Sequence, residues 1–179
     1  MKTLKNTFRI LFLTLAVGFT SCSSDDDNGD GAEGGTGGGA EHYTAKIDGA
    51  DFAASTDPAS LIGGTLTTNN GMTVATAQGS TNTGDYINFS IVNYNGPGTY
   101  ITGDDISNMN GIMYGKISPL GVWASNGVLS IIGIQPGEIV ITSDTDGVLE
   151  GTFSFEGYNV DDQTSKMFTE GSFKVNLDN

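Results

Sequence analysis

From Glu41 onward the large apolar residues of this chain recur at every second position. Ile87, Phe89 and Ile91 alternate with Asn88 and Ser90, and Leu149, Phe153 and Phe155 with Glu150, Thr152 and Ser154. Phe173, Val175 and Leu177 alternate in the same way with Ser172, Lys174 and Asn176. Side chains leave a strand on alternate sides, so this spacing buries one face and wets the other only in a β-sheet. The same reading gives strands at 43–47, 61–67, 72–77, 99–102, 112–117, 122–125, 128–134 and 138–142. Asp48-Gly49, Asn70-Gly71, Asn95-Gly96, Asn110-Gly111, Asn126-Gly127 and Asp146-Gly147 fall between these runs. Such pairs favour the positive φ angles of tight hairpins. Pro58, Pro97, Pro119 and Pro136 lie outside the strands, where a missing N–H costs no ladder bond. No stretch after Glu41 repeats at a helical period. The sequence therefore predicts an all-β fold for residues 41–179: an antiparallel β-sandwich of roughly nine or ten strands, with an open or closed β-barrel as the alternative. Residues 128–134, apolar on both faces, read as a central strand and favour the sandwich.

The first twenty-one residues are of another kind. Lys2, Lys5 and Arg9 precede an uncharged run from Ile10 to Phe19, and then the small pair Thr20 and Ser21. The run is about half of the roughly 20 residues needed to cross a bilayer, so residues 1–21 read as a signal peptide. Cys22 is the chain's single cysteine. A lone cysteine in an exported chain is a reactive thiol, half of an intermolecular disulfide or a lipidation site. Its place directly after the apolar run points to lipidation. Phe19-Thr20-Ser21-Cys22 resembles the relaxed lipobox of Bacteroidota lipoproteins, keeping the small residue before the thiol and departing from Leu-Ala-Gly-Cys at all three positions. The expected modification is a diacylglycerol and an N-acyl chain on Cys22. At about 0.8 kcal/mol per buried methylene, two or more chains anchor stably where one does not.

Residues 22–40 follow as a disordered tether of glycine and acid, with a mean reach of about 25 Å. Ser23, Ser24, Asp25, Asp26 and Asp27 resemble the signal that exports lipoproteins of that group to the outer leaflet, which places the chain on the outer membrane facing the exterior. The net charge is −14, and the leader holds three of the seven cations. The remaining four, Lys46, Lys116, Lys166 and Lys174, are scattered, which argues against nucleic acid and anionic headgroups as partners.

The segments AKIDGADFAA (45–54), GTYIT (98–102), GTFSFEGYN (151–159) and FTEGSFKVNL (168–177) resemble the blocks of a Bacteroidota lipoprotein family, domain-of-unknown-function family 6252. The resemblance implies a β-rich secreted domain on a lipid anchor and supplies no activity and no functional residues. Its paired motifs, Gly151-Thr-Phe153 and Gly171-Ser-Phe173, read as neighbouring strands in which each glycine leaves room beside an aromatic ring.

Chemistry-bearing residues are few. His42, the only histidine, sits where tether meets first strand, which leaves nucleophilic triads and multi-histidine zinc sites without their base or ligands. No catalytic residue, metal site or cofactor is assigned. Ser143 to Gly147, Asp48 with Asp51, and Gly103-Asp-Asp105 carry oxygen ligands at incomplete calcium-loop spacing; weak Ca2+ binding stays open, while Asp146-Gly147 reads more economically as a hairpin turn. Trp123, Tyr86 and Tyr94 fall on the polar side of their strands, where rings can stack on a sugar. The predicted function is a lipid-anchored, non-catalytic binding or accessory module for a glycan or protein partner. The alternative is a cell-surface hydrolase, such as a glycosidase, using a pair among Glu138, Glu150, Glu156, Glu170 and the aspartates.

Overall fold

A computed structural model describes residues 40–57 and 60–178. The leader, Cys22, the acidic run from Ser23 to Asp27, the tether as far as residue 39, and Pro58 lie outside the described residues. The elements are β1 (His42–Ile47), β2 (Ala50–Ala53), β3 (Ile62–Asn69), β4 (Met72–Ser80), β5 (Tyr86–Val92), β6 (Gly98–Thr102), β7 (Gly111–Ile117), β8 (Leu120–Asn126), a 3-10 helix (Gly127–Ile132), β9 (Gly137–Thr145), β10 (Val148–Asn159) and β11 (Thr164–Asp178). The all-β class holds.

The strands form one eleven-stranded sheet in the order β2-β1-β11-β3-β4-β5-β7-β8-β10-β9-β6. β11 runs parallel to β3 and the other pairings are antiparallel. A further ladder joins β10 to β11 from Val148↔Asn176 to Asn159↔Thr164. Hydrogen bonding therefore returns on itself through β11, β3, β4, β5, β7, β8 and β10, and the layers expected of a sandwich are parts of one folded-over sheet. Rings meet across the enclosed space: Phe89 of β5 lies 5.0 Å from Phe173 of β11, and Tyr114 of β7 lies 5.5 Å from Phe168.

Residues 128–134 are not a strand. The Asn126 side chain accepts a hydrogen bond from Leu129 N and caps a 3-10 helix, which ends at Gly133 with φ 76°. A polar cap offers the backbone a helical turn that apolar content alone cannot reveal. Val128, Ile131 and Ile132 are exposed rather than central. Of the six turn pairs, Asp48-Gly49, Asn70-Gly71 and Asp146-Gly147 take positive φ at both residues, as two-residue hairpins require. Asn110 instead accepts from Val92 N through Oδ1 as β7 begins.

β11 buries Phe168 and Phe173, five residues apart, and strict alternation cannot bury both. The phase is reset at Glu170, whose φ is 53° and beside which the register shifts against both β1 and β10. This is a β-bulge. It brings Phe155 and Phe168 into parallel stacking at 4.0 Å on one side, and sets Gly151 opposite Phe173 and Phe153 opposite Gly171 on the other. A Cβ on Gly171 would lie 2.4 Å from Phe153 O, and one on Gly151 would lie 2.7 Å from the Phe173 ring. Each glycine is thus a socket for the aromatic across from it. Tyr43 packs 5.3 Å from Phe153 and 5.8 Å from Phe173, and its buried hydroxyl has no hydrogen-bond partner among the described residues. That costs about 1–3 kcal/mol, which ring packing here must outweigh.

Gly171→Ala is expected to destabilise the chain by about 1–3 kcal/mol in urea denaturation, as overpacking does. Gly98→Ala is the control, because a Cβ there meets nothing within 4 Å; its effect should stay within about 0.5 kcal/mol. Equal losses from the two would refute the socket.

Candidate functional site

The three aromatic residues predicted to stack on a ligand do not come together. Trp123 is 7% exposed: Gly121, Trp123 and Ser125 face the core, and Val122 and Ala124 face outward, the reverse of the predicted polarity. Its Nε1 donates to Thr164 Oγ1 at 2.9 Å, its ring stacks 5.8 Å from Tyr114, and Lys166 Nζ lies 5.0 Å from the ring centroid. Gly121 misled the reading, because it leaves the space that the indole occupies. Tyr94 is also 7% exposed; Asn93, at φ 59°, ends β5 and turns the next ring inward, where Tyr94 Oη donates to Asp144 Oδ2 at 2.7 Å. Tyr86 keeps the outward position that alternation gave it, but its ring lies over Gly115 of β7.

The outward face of β3, β4, β5, β7 and β8 carries a groove of about 470 Å³. Register builds it from two rows of side chains that cross the five strands. One row is Thr65, Thr76, Ser90, Gly111 and Asn126; the next is Gly63, Gln78, Asn88, Met113 and Ala124. Thr65 and Thr76 bond each other at 2.8 Å. Gln78, Asn88 and Ser90 are half-buried, and among the described residues no side-chain hydrogen bond satisfies them. Asp178 is the only charged residue lining the groove among those described. Leu61 and Met109 stand at its rim, Met109 at 72% exposure. Gly127 packs on the carbonyls of Asp105, Ile106 and Asn108, so the loop bearing Ile106 and Met109 abuts the 3-10 helix bearing Val128 and Ile131. Five strands about 4.8 Å apart span about 19 Å, the length of an extended segment of about six residues. Sequence reasoning passed over this face because amides and hydroxyls outside a strand read as ordinary solvated surface. The signal was the lack of charge on rungs that register brings into line.

Among the described residues, the glutamates weighed as catalytic acids are each bonded to a neighbour or exposed. Glu150 is bonded to Lys174, Glu156 Oε2 accepts from Gln135 N, and Glu138 and Glu170 are exposed. Asp48 accepts from Met167 N and Lys166 Nζ, and these bonds hold its carboxyl below the usual range. Asp105 is lowered by the hydroxyl and amide of Ser107. Among the described residues no three of His, Cys, Asp and Glu converge to hold a metal ion. His42 is exposed on β1, with Nε2 3.0 Å from Ser172 Oγ.

The family model described as "Domain of unknown function (DUF6252)" matches residues 43–175. No curated protein and no solved structure matches the chain.

Tyr114 Oη donates to Asp85 Oδ2 at 3.1 Å at one end of the core, and burial followed by the Asp85 charge pushes its phenol up to about 12. Between pH 10 and 12 the folded chain keeps a proton that the unfolded chain loses. Folded protein then binds more protons, and stability is complete below pH 10 and falls as pH rises through that window. Tyr43 and Tyr94 are raised too, chiefly by burial, and push in the same direction. Urea denaturation at about pH 9 and about pH 11.5 should show a smaller loss for Tyr114→Phe than for the unaltered chain. Identical losses would contradict the assignment.

Proposed function

The chain belongs to the family described as a domain of unknown function, DUF6252, and from that premise we propose that it is an outer-membrane lipoprotein, acylated at Cys22, whose β-domain binds a protein partner without catalysis. The partner is an uncharged, extended segment, and its seat is the groove across β3, β4, β5, β7 and β8. The reading is carried by the unspent amides of Gln78 and Asn88. A side-chain amide offers one acceptor and two donors, matching the C=O and N–H of a peptide group, and half-buried polar groups gain from such partners. Met109 and Met113 supply adaptable apolar contact, and the exposed Ile106, Val128 and Ile131 stand on the neighbouring loop and 3-10 helix.

The glycan version of this function has weaker support, since Trp123 and Tyr94 are turned into the core and the groove offers no exposed ring. The hydrolase alternative has weaker support, because among its candidate glutamates Glu150 and Glu156 are spent on neighbours and Glu138 and Glu170 are exposed. Residues 18–27, GFTSCSSDDD, carry the anchor and export part of the proposal.

Mass spectrometry of the chain from its host's membranes should find an amino terminus at Cys22 bearing acyl chains, and Cys22→Ser should release the protein to the soluble fraction. An unmodified thiol would overturn the anchor. A photo-crosslinking residue at Ala124, in the groove, should capture one polypeptide, whereas the same residue at exposed Val160 should not; Asn88→Arg should abolish the adduct. Adducts from both positions or from neither would reject the groove, and glycan-array binding that Asn88→Arg removes would replace the protein by a sugar.

A further inference from the structure

A second cleft, of about 520 Å³, opens at the end of the core where Ile47, Ala50 and Phe52 meet β5 and β7. That volume lies within the range of small-molecule sites. Its walls break the alternation rule in one respect. Asp85 continues the inward row of Ile87 and Phe89, Lys116 the inward row of Ile112 and Tyr114, and Lys166 the inward position before Phe168. Three charged residues thus occupy core-facing positions one rung beyond the aromatic layer, where burying a charge is costly unless it is matched.

Two of the three are matched. Asp85 accepts from Tyr114 Oη and from Ile117 N, and Lys166 pairs with Asp48 at 2.9 Å. Asp51, also on the wall, pairs with Lys46 at 3.0 Å. Lys116 alone among the described lysines forms no ion pair, although Asp85 stands beside it on the same wall, in a chain of net charge −14 where acids outnumber cations threefold. Phe52 and Tyr114 line the floor, and the β4–β5 loop adds Thr81, Asn82 and Thr83, the two hydroxyls 2.8 Å apart.

We propose that this mouth is a second binding site, independent of the groove, for a compact organic acid: one carboxylate, received by Lys116, on a hydroxyl-bearing body that rests on the aromatic floor. An acidic sugar unit has that chemistry, whether free or within a polysaccharide. One cation free of an ion pair, with Asp51 and Asp85 beside it, favours one negative charge over two.

The test is calorimetric titration of the full chain in detergent with D-galacturonate, its α-1,4-linked trimer and D-galactose, which lacks only the carboxylate. Both galacturonate probes should bind, galactose at least tenfold more weakly, and added salt should weaken the acids selectively. K116M should weaken galacturonate at least tenfold while K116R retains most of the affinity, both with the unaltered denaturation midpoint. A trimer that binds tighter than the monomer assigns a polysaccharide source; equal binding assigns the free acid. Trp123, the sole tryptophan, lies beneath Lys166 and gives an independent fluorescence readout. Galactose binding as well as galacturonate, K116M leaving affinity unchanged, or neither acid binding would overturn the proposal. N88R should leave galacturonate binding intact and K116M should leave crosslinking from Ala124 intact, so failure of either site is seen separately.

Discussion

Two phenylalanine rings seated over glycine backbone hold β10 to β11, and on that ladder the enclosure of the core depends. Without it the remaining pairings describe an open strip with β10 and β11 far apart. With it, Phe153 and Phe173 lie close to glycine opposite, Tyr43 covers them from β1, and Phe89 reaches them from β5. The interaction works through space left empty. A side chain larger than hydrogen at Gly151 or Gly171 would part the strands, since the glycines sit within contact of backbone carbonyls as well as of rings.

The same closure divides the surface by chemistry. Inward positions are taken by aromatic, branched and small residues until the last rung at one end, where Asp85, Lys116 and Lys166 replace them. Outward positions on β3 to β8 are neutral, and the acids that give the chain its charge lie largely at turns, edges and loops. An acidic surface keeps neighbours apart and raises solubility. A groove with Asp178 as its one charged lining residue among those described is therefore a region where an uncharged chain meets little electrostatic opposition.

Much of the fold was legible in period and turn chemistry, and three of the exceptions share one cause. Alternation marks the Ile87, Leu149 and Phe173 faces, and the paired Gly-x-Phe motifs mark the β10–β11 contact. Alternation also assumes an unbroken phase. The bulge at Glu170 hid the first half of β11, the αL residue Asn93 turned Tyr94 inward, and the cap at Asn126 made a helix of a run that composition read as strand. The polarity of β8 failed for a different reason: Gly121 and Ser125 look like surface, yet they are small because Trp123 and the buried hydroxyl of Thr102, 2.8 Å from Ser125 Oγ, fill the space beside them. The groove was invisible because its rows exist only once five strands are in register.

β1 gives the domain a stem and an open end. The strand starts beside Glu41, whose carboxylate receives the amide of Asn176, and finishes at Ile47 on the lip of the charged mouth. Six residues of strand set these points about 17 Å apart. One short strand thus joins the backbone of Asn176 at one end of the sheet to the Lys116 cleft at the other.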